Sequence, residues 1–185
     1  MKTLFVVPEI RLDMAPTNFP FWAAILASII ENKKGQVGIL DLNALRMNFG
    51  GNQVPNQVII DQISSEKWDL IGIGGLTTTY SRIKELAPLI RKHAKDSLFI
   101  GGGGWSTYNP DEILQLIPEL DMICIGEGEV TFSELYDEID KGTKDFEKVK
   151  GLCLRDKDSF KFTEPRALID DLNTVPYPAY DLLEM

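Results

Sequence analysis

Five short apolar runs recur along the chain: Thr3 to Val7, Val37 to Asp41, Asp69 to Ile73, Ser97 to Gly101 and Asp121 to Ile125. They are continuous rather than alternating with polar residues, which is how strands covered on both faces read, and together they predict a parallel sheet. The stretches between them repeat with helical spacing instead. Phe21, Trp22, Ile25, Leu26, Ile29 and Ile30 form one stripe, closed by Lys33-Lys34-Gly35 as a basic last turn and a C-terminal glycine. Phe21 and Trp22 read as helix core on this pattern. A shorter helix is expected over Val58 to Ile63, and a third through Ile83, Leu86, Ala87 and Ile90, across Pro88 and with His93 near its end. Asn109-Pro110 sets a cap before a proline at the first helical position, opening a fourth helix that Pro118 stops. A fifth is expected from Thr131, because Thr131-Phe132-Ser133-Glu134 has capping-box form.

Strand, helix, strand repeated in this way with right-handed crossovers gives an α/β fold. The expected architecture is a Rossmann-like or flavodoxin-like doubly wound parallel five-stranded sheet over residues 1–145, with its ligand crevice beyond the carboxyl ends of the strands. Residues 146–168 read as a C-terminal β-hairpin appendage, Val149 to Arg155 and Ser159 to Thr163 flanking the polar turn Asp156-Lys157-Asp158. Residues 169–185, with Val175-Pro176-Tyr177-Pro178-Ala179, have neither period and read as a linker toward a missing domain.

Composition narrows the function. A chain of 185 residues with 44% hydrophobic residues buries a sizeable core without disulfide or metal staples. Lys plus Arg is 19 against 28 Asp plus Glu, and the resulting net charge of −9 argues against nucleic acid and against an anionic membrane surface. Cys124, Cys153 and the sole histidine, His93, have no metal-ligand spacing, so no zinc or iron–sulfur site is expected in this chain. Leu4 to Val7 is too brief for a signal core, and Phe19 to Ile30 falls short of the roughly 18 residues that span a bilayer. A cytoplasmic domain with no membrane contact is expected.

The candidate chemistry lies in three loops that follow the third, fourth and fifth strands: Gly74-Gly75-Leu76-Thr77-Thr78-Thr79, Gly101-Gly102-Gly103-Gly104-Trp105-Ser106-Thr107 and Gly126-Glu127-Gly128-Glu129. Glycine lets backbone approach a ligand closely, and three such loops at one edge describe a wall. Each alone reads equally well as a tight strand-to-helix turn. Four consecutive glycines nevertheless cost about 0.5–1 kcal/mol each relative to alanine in regular structure, so the run calls for a reason. A phosphate cradle at Gly126-x-Gly128 is opposed by Glu127 and Glu129, which read blandly as anions favourable to a helix N-terminus. No nucleophile elbow or Walker lysine occurs, and catalysis by this chain alone is not expected. Trp105 reads as a ligand contact, while Ser106, Thr107 and Thr77 to Thr79 read as donors to a ligand or as caps. The long apolar first loop, Pro8 to Pro20, and the helix start after it offer Met14, Phe19, Phe21 and Trp22 to a flat hydrophobic ligand, although Phe21 and Trp22 read more readily as helix core.

In sequence order, Asp69-Leu70-Ile71-Gly72-Ile73 leading into Gly74-Gly75-Leu76-Thr77, Phe99-Ile100 into the glycine run with Ser106-Thr107, Asp121 with Gly126-Glu127-Gly128-Glu129, and the ending Val175-Pro176-Tyr177-Pro178-Ala179-Tyr180-Asp181-Leu182 resemble one known family. The chain resembles the N-terminal cobalamin-binding domain of B12-dependent radical SAM enzymes, most of all the anaerobic magnesium-protoporphyrin monomethyl ester cyclase type. The resemblance implies a corrin over the carboxyl edge of the sheet, with its nucleotide tail in a slot lined by Gly74, Gly75, Leu76, Gly102 and Gly103. The Gly126, Glu127, Gly128, Glu129 turn would border the cofactor, and Thr77, Gly104, Trp105 and Ser106 complete the candidate set.

Two departures stand out. The D-x-H-x-x-G motif that carries a cobalt-ligating histidine in many such domains is absent, and Gly74 stands where a serine is common. Either cobalt is held without a protein imidazole, or cobalamin binding has been lost. The C-x-x-x-C-x-x-C motif is absent too, so a [4Fe-4S] cluster and S-adenosylmethionine would belong to a radical SAM barrel in the parent chain. The expected role is a cobalamin-binding module for methyl transfer or oxidative cyclisation. The alternatives are a degenerate docking domain that binds nothing and a flavodoxin-like domain that binds flavin or a nucleotide.

Overall fold

The structure, a computed structural model, describes residues 1–16, 19–157 and 159–183. Strands β1 (Lys2–Val7), β2 (Gln36–Asp41), β3 (Leu70–Gly75), β4 (Leu98–Gly103) and β5 (Met122–Cys124) are parallel, and β6 (Leu152–Asp156) and β7 (Ser159–Phe162) add to them antiparallel. The order in the sheet is β2-β1-β3-β4-β5-β6-β7. Strand order therefore reverses between β1 and β3, the switch point at which doubly wound sheets open a crevice.

Alternate strand positions feed two cores. Phe5, Leu70, Ile100, Met122 and Cys124 face α1 (Phe21–Asn32) and α6 (Glu129–Asp140). Leu4, Val6, Ile71, Ile73, Phe99 and Ile123 face α3 (Asn56–Ser64), α4 (Tyr80–His93) and α5 (Pro110–Leu116). Both faces of the parallel strands are covered, which is why their sequences run apolar without alternation. Pro88 sits inside α4 on its exposed side, leaving the Lys84 carbonyl that it cannot serve open to water.

Three expectations change. Helix α6 begins at Glu129, and the buried Thr131 is not its cap: the Thr131 hydroxyl donates to the Lys150 carbonyl at 3.1 Å and accepts from Arg166 Nε at 2.7 Å. Its oxygen ties the hairpin to the helix instead. Phe21 is 50% exposed rather than core, because the buried face of α1 is set by Ala23, Ala24, Ala27, Ile29 and Ile30. A short helix unforeseen in the sequence, α2 (Leu42–Leu45), is capped by Asp41, whose carboxylate accepts from the N–H groups of Asn43 and Ala44.

The hairpin extends the sheet at β5, turning through Lys157 at φ +49°, while Asp158 of the expected turn lies outside the described residues. Thr17 and Asn18 of the first loop, and Glu184 and Met185 at the end, also lie outside them. Residues 177–183 dock on α1. The Ala179 N–H donates to the Ala24 carbonyl at 3.0 Å, Ser28 Oγ donates to the Tyr177 carbonyl at 2.5 Å, and Phe21 meets the Tyr180 ring edge-on. Among the described residues, no helix is long and apolar enough to cross a membrane.

Candidate functional site

A cavity of about 210 Å³ opens at the carboxyl ends of β3, β4 and β5. Its back is a row of register partners, Gly74, Gly102 and Cys124, on neighbouring strands and the same sheet face. Trp22 and Leu26 of α1, the turn Gly126, Glu127, Gly128 and Glu129, and the rings of Phe5 and Phe132 are also in the lining, with Leu26 next to Gly128. The glycines decide the shape. A Cβ on Gly74 would stand 2.9 Å from the Trp22 ring, so Trp22 lies directly on that strand. A Cβ on Gly102 would meet only Cys124, at an ordinary 3.5 Å, so the space in front of Gly102 is open.

The remaining glycines of the run serve other purposes. Gly103, at φ +99°, lets β4 approach β3 so closely that a Cβ would fall 2.6 Å from the Gly75 carbonyl oxygen. Gly101 points to the opposite face, where its missing side chain admits Trp105. That placement corrects the expected role of Trp105. It is 7% exposed, packs in the α3–α5 core, and donates from Nε1 to the Gly102 carbonyl at 2.7 Å. Ser106 is fully buried and donates to the Gly103 carbonyl at 3.3 Å, closing the turn. Thr107 bridges two loops, donating to the Gly103 carbonyl at 3.0 Å and accepting from the Gly126 N–H at 3.4 Å.

Of the candidate residues, then, Gly74, Gly75, Gly102, Gly103, Gly126, Glu127, Gly128 and Glu129 meet around one cavity. Leu76 is directed instead toward Met14 and Arg46 under the first loop, Thr77 is exposed, and Gly104 has nothing within 4 Å of a Cβ. The lining also takes in residues outside the candidate set, among them Leu26, Cys124 and Phe132, and Trp22, which reads more readily as core; the packing of α1 against the carboxyl edge brings Trp22 and Leu26 to the slot, and strand pairing brings Cys124.

The two glutamates differ in kind. Glu127 Oε2 accepts from the Ile169 N–H at 2.6 Å and holds the C-terminal segment. Glu129 lines the slot, and its Oε2 is buried without a hydrogen-bond partner among the described residues. Cys124 lies beside it, its thiol pushed up to about 12 chiefly by burial and then by the negative charge of Glu129. At neutral pH that sulfur is a protonated thiol, neither nucleophile nor metal ligand. His93 stands by Trp68 and Ser97, ahead of β3 and β4 at the opposite edge of the sheet. The described residues contain no cluster of His, Cys, Asp or Glu able to hold a metal ion.

A small, mainly apolar slot beside the switch point, with no cationic residue in its lining and no metal-holding cluster among the described residues, suits an uncharged lobe of a larger ligand. The family model of the B12 binding domain matches residues 10–136, which span the first loop, all three glycine loops and most of α6. The chain belongs to the B12-binding domain family. This B12-binding domain is 29% identical over 189 residues to an uncharacterized methyltransferase of Pyrococcus horikoshii, covering 100% of this chain and 39% of that protein. It is 24% identical over 190 residues to the anaerobic magnesium-protoporphyrin IX monomethyl ester cyclase of Rubrivivax gelatinosus, covering 100% of this chain and 33% of the relative. The domain thus spans well under half the length of these curated relatives.

Among solved structures, it matches the cobalamin-dependent S-adenosylmethionine radical enzyme OxsB with aqua-cobalamin and S-adenosylmethionine bound. The TM-score is 0.80 at 19% identity, over 98% of this chain and 24% of that one. It also matches the radical S-adenosylmethionine methyltransferase TsrM from Kitasatospora setae with cobalamin and a [4Fe-4S] cluster bound, at TM-score 0.74 and 20% identity, over 95% and 31% of the two chains. These likenesses establish the fold of the B12-binding domain.

Proposed function

We propose that this domain binds cobalamin with the nucleotide tail in the Gly74–Gly102–Cys124 slot, and presents the corrin at the carboxyl edge to a radical SAM barrel elsewhere in a longer chain. The observation that carries the reading is the open space in front of Gly102, part of a cavity of about 210 Å³ at the carboxyl edge of the sheet. Bound cobalamin supplies a cobalt centre for methyl or radical chemistry; the residues here position it and supply no acid, base or nucleophile. The sole histidine, His93, lies at the opposite edge of the sheet from the slot. Two free, buried cysteines fit a reducing cytoplasm.

Titrating the chain with hydroxocobalamin, followed by desalting and an absorption spectrum, tests the reading. About one corrinoid per chain is expected, with flavin mononucleotide not retained. Gly102→Val places its Cβ at an allowed distance from Cys124, so the fold is expected to hold within about 1 kcal/mol while the side chain fills the slot. Cobalamin affinity should fall at least about tenfold. Undiminished affinity in a folded Gly102→Val protein would remove the tail from this slot.

A further inference from the structure

The Glu129 side chain lines the slot, its carboxylate accepts no hydrogen bond among the described residues, and one of its two oxygens, Oε2, is buried as well. Leaving a partly buried acceptor unpaired is costly, more so when it is charged, so its persistence at a cavity wall points to a donor from outside the chain. The nearby cation does not serve it. Arg166 is committed to Thr131 Oγ1 at 2.7 Å, to the Glu134 carboxylate and to the Lys150 carbonyl at 3.3 Å. Nor does Glu127 share its role, being tied to the Ile169 N–H.

We infer that Glu129 accepts a hydrogen bond from a ribose hydroxyl of the cofactor's nucleotide tail, and so selects corrinoids that carry that tail. The inference rests on the proposed function. Of the donors on that arm, the benzimidazole base has no N–H once joined to the sugar and the phosphate is an anion that a carboxylate repels; the ribose carries free hydroxyls next to the base, while the linker amide N–H lies beyond the phosphate and is kept in cobinamide, which separates the two. The slot is small and mainly apolar, with Glu127 and Glu129 the charged residues of its lining, and Glu127 already has a partner.

The test compares hydroxocobalamin with cobinamide, which lacks base, ribose and phosphate, on the unaltered chain, Glu129→Ala and Glu129→Gln. Coincident thermal melts establish that the variants fold. Glu129→Ala is expected to bind hydroxocobalamin at least about tenfold more weakly, the scale of a lost hydrogen bond to a charged acceptor. Glu129→Gln, which keeps an acceptor oxygen, should fall between the two. Retention of cobinamide should be the same for all three proteins. Undiminished cobalamin affinity in Glu129→Ala, or an equal loss for cobinamide, overturns the assignment of Glu129 while leaving cobalamin binding intact. Failure of the unaltered chain to retain hydroxocobalamin overturns the proposed function and this inference together.

Discussion

The carboxyl edge of the sheet is built in two opposite ways on either side of β3. Toward β4 and β5 it is a row of residues with little or no side chain, Gly74, Gly102 and Cys124, under Trp22, and it leaves a cavity. Toward β1 the irregular loop that starts at Pro8 is held by buried charge. Glu9, 5% exposed, accepts from Arg82 Nε at 2.8 Å and from the Val54 N–H at 3.0 Å. Arg46, 1% exposed, donates to Asn43 Oδ1 at 3.3 Å, to the Gly51 carbonyl at 2.8 Å and to the Met14 carbonyl. A loop without ladder partners needs its backbone groups satisfied by side chains, and these ions do that. The difference shows how each half is held: one by buried ions that satisfy loop backbone, and the other by residues with little side chain that leave a cavity beside a carboxylate without a hydrogen-bond partner among the described residues.

If this contrast is sound, the heaviest loss of stability comes from the charged half. Glu9→Ala leaves Arg82, 11% exposed along its side chain, with only the more exposed Glu85 at 3.2 Å, and orphans the Val54 N–H. Removing one partner of a buried pair costs about 3–5 kcal/mol, read as a lower midpoint in urea at unchanged slope. A loss below about 1 kcal/mol would mean that the first loop is held by its apolar contacts, and the comparison would break.

A smaller effect separates neighbours within the glycine run. Gly103→Ala forces a side chain onto φ +99° with its Cβ 2.6 Å from the Gly75 carbonyl oxygen, and should cost about 1–3 kcal/mol. Gly104→Ala meets nothing within 4 Å and should stay within about 0.5 kcal/mol. Equal costs would show that the run is shaped by loop entropy rather than by close approach of β4 to β3.

These two halves were unequally legible in the sequence. Continuous apolar runs and the glycines after them report local geometry, so the order of strands, the edge and the loops could be read directly. Trp105 could not be placed, because which sheet face receives it depends on Gly101 and Gly102 facing opposite ways, a register known only once β4 is paired. Glu9 with Arg82, and Arg46 with the Met14 and Gly51 carbonyls, are pairs made by folding rather than by spacing, and a lone charge in a loop looks solvated until its partner is known. Glu127 and Glu129 looked equivalent for the same reason. Only the docking of residues 166–169 beside α6 separates a carboxylate that pins the chain from one left facing the slot.

The smallest effect tests the slot from within through its thiol. Burial, then the charge of Glu129, raises Cys124 from 9.0 to about 12, and burial raises Cys153 from 9.0 to about 11. Between those values the unfolded chain releases thiol protons that the folded chain keeps. Stability is therefore fully present below about pH 9 and declines as the pH rises toward 12. Unfolding midpoints in urea should be flat from neutrality to pH 9 and fall above it, and Cys124→Ala should shallow that fall. Glu129→Gln should shallow it less, since it removes only the second cause of the shift and leaves burial in place. An alkaline slope identical in Glu129→Gln and the unaltered chain would mean that the carboxylate does not act on the sulfur across the slot. The two sides of the cavity would then be electrically independent, and Glu129 would be better solvated there than an unpartnered oxygen implies.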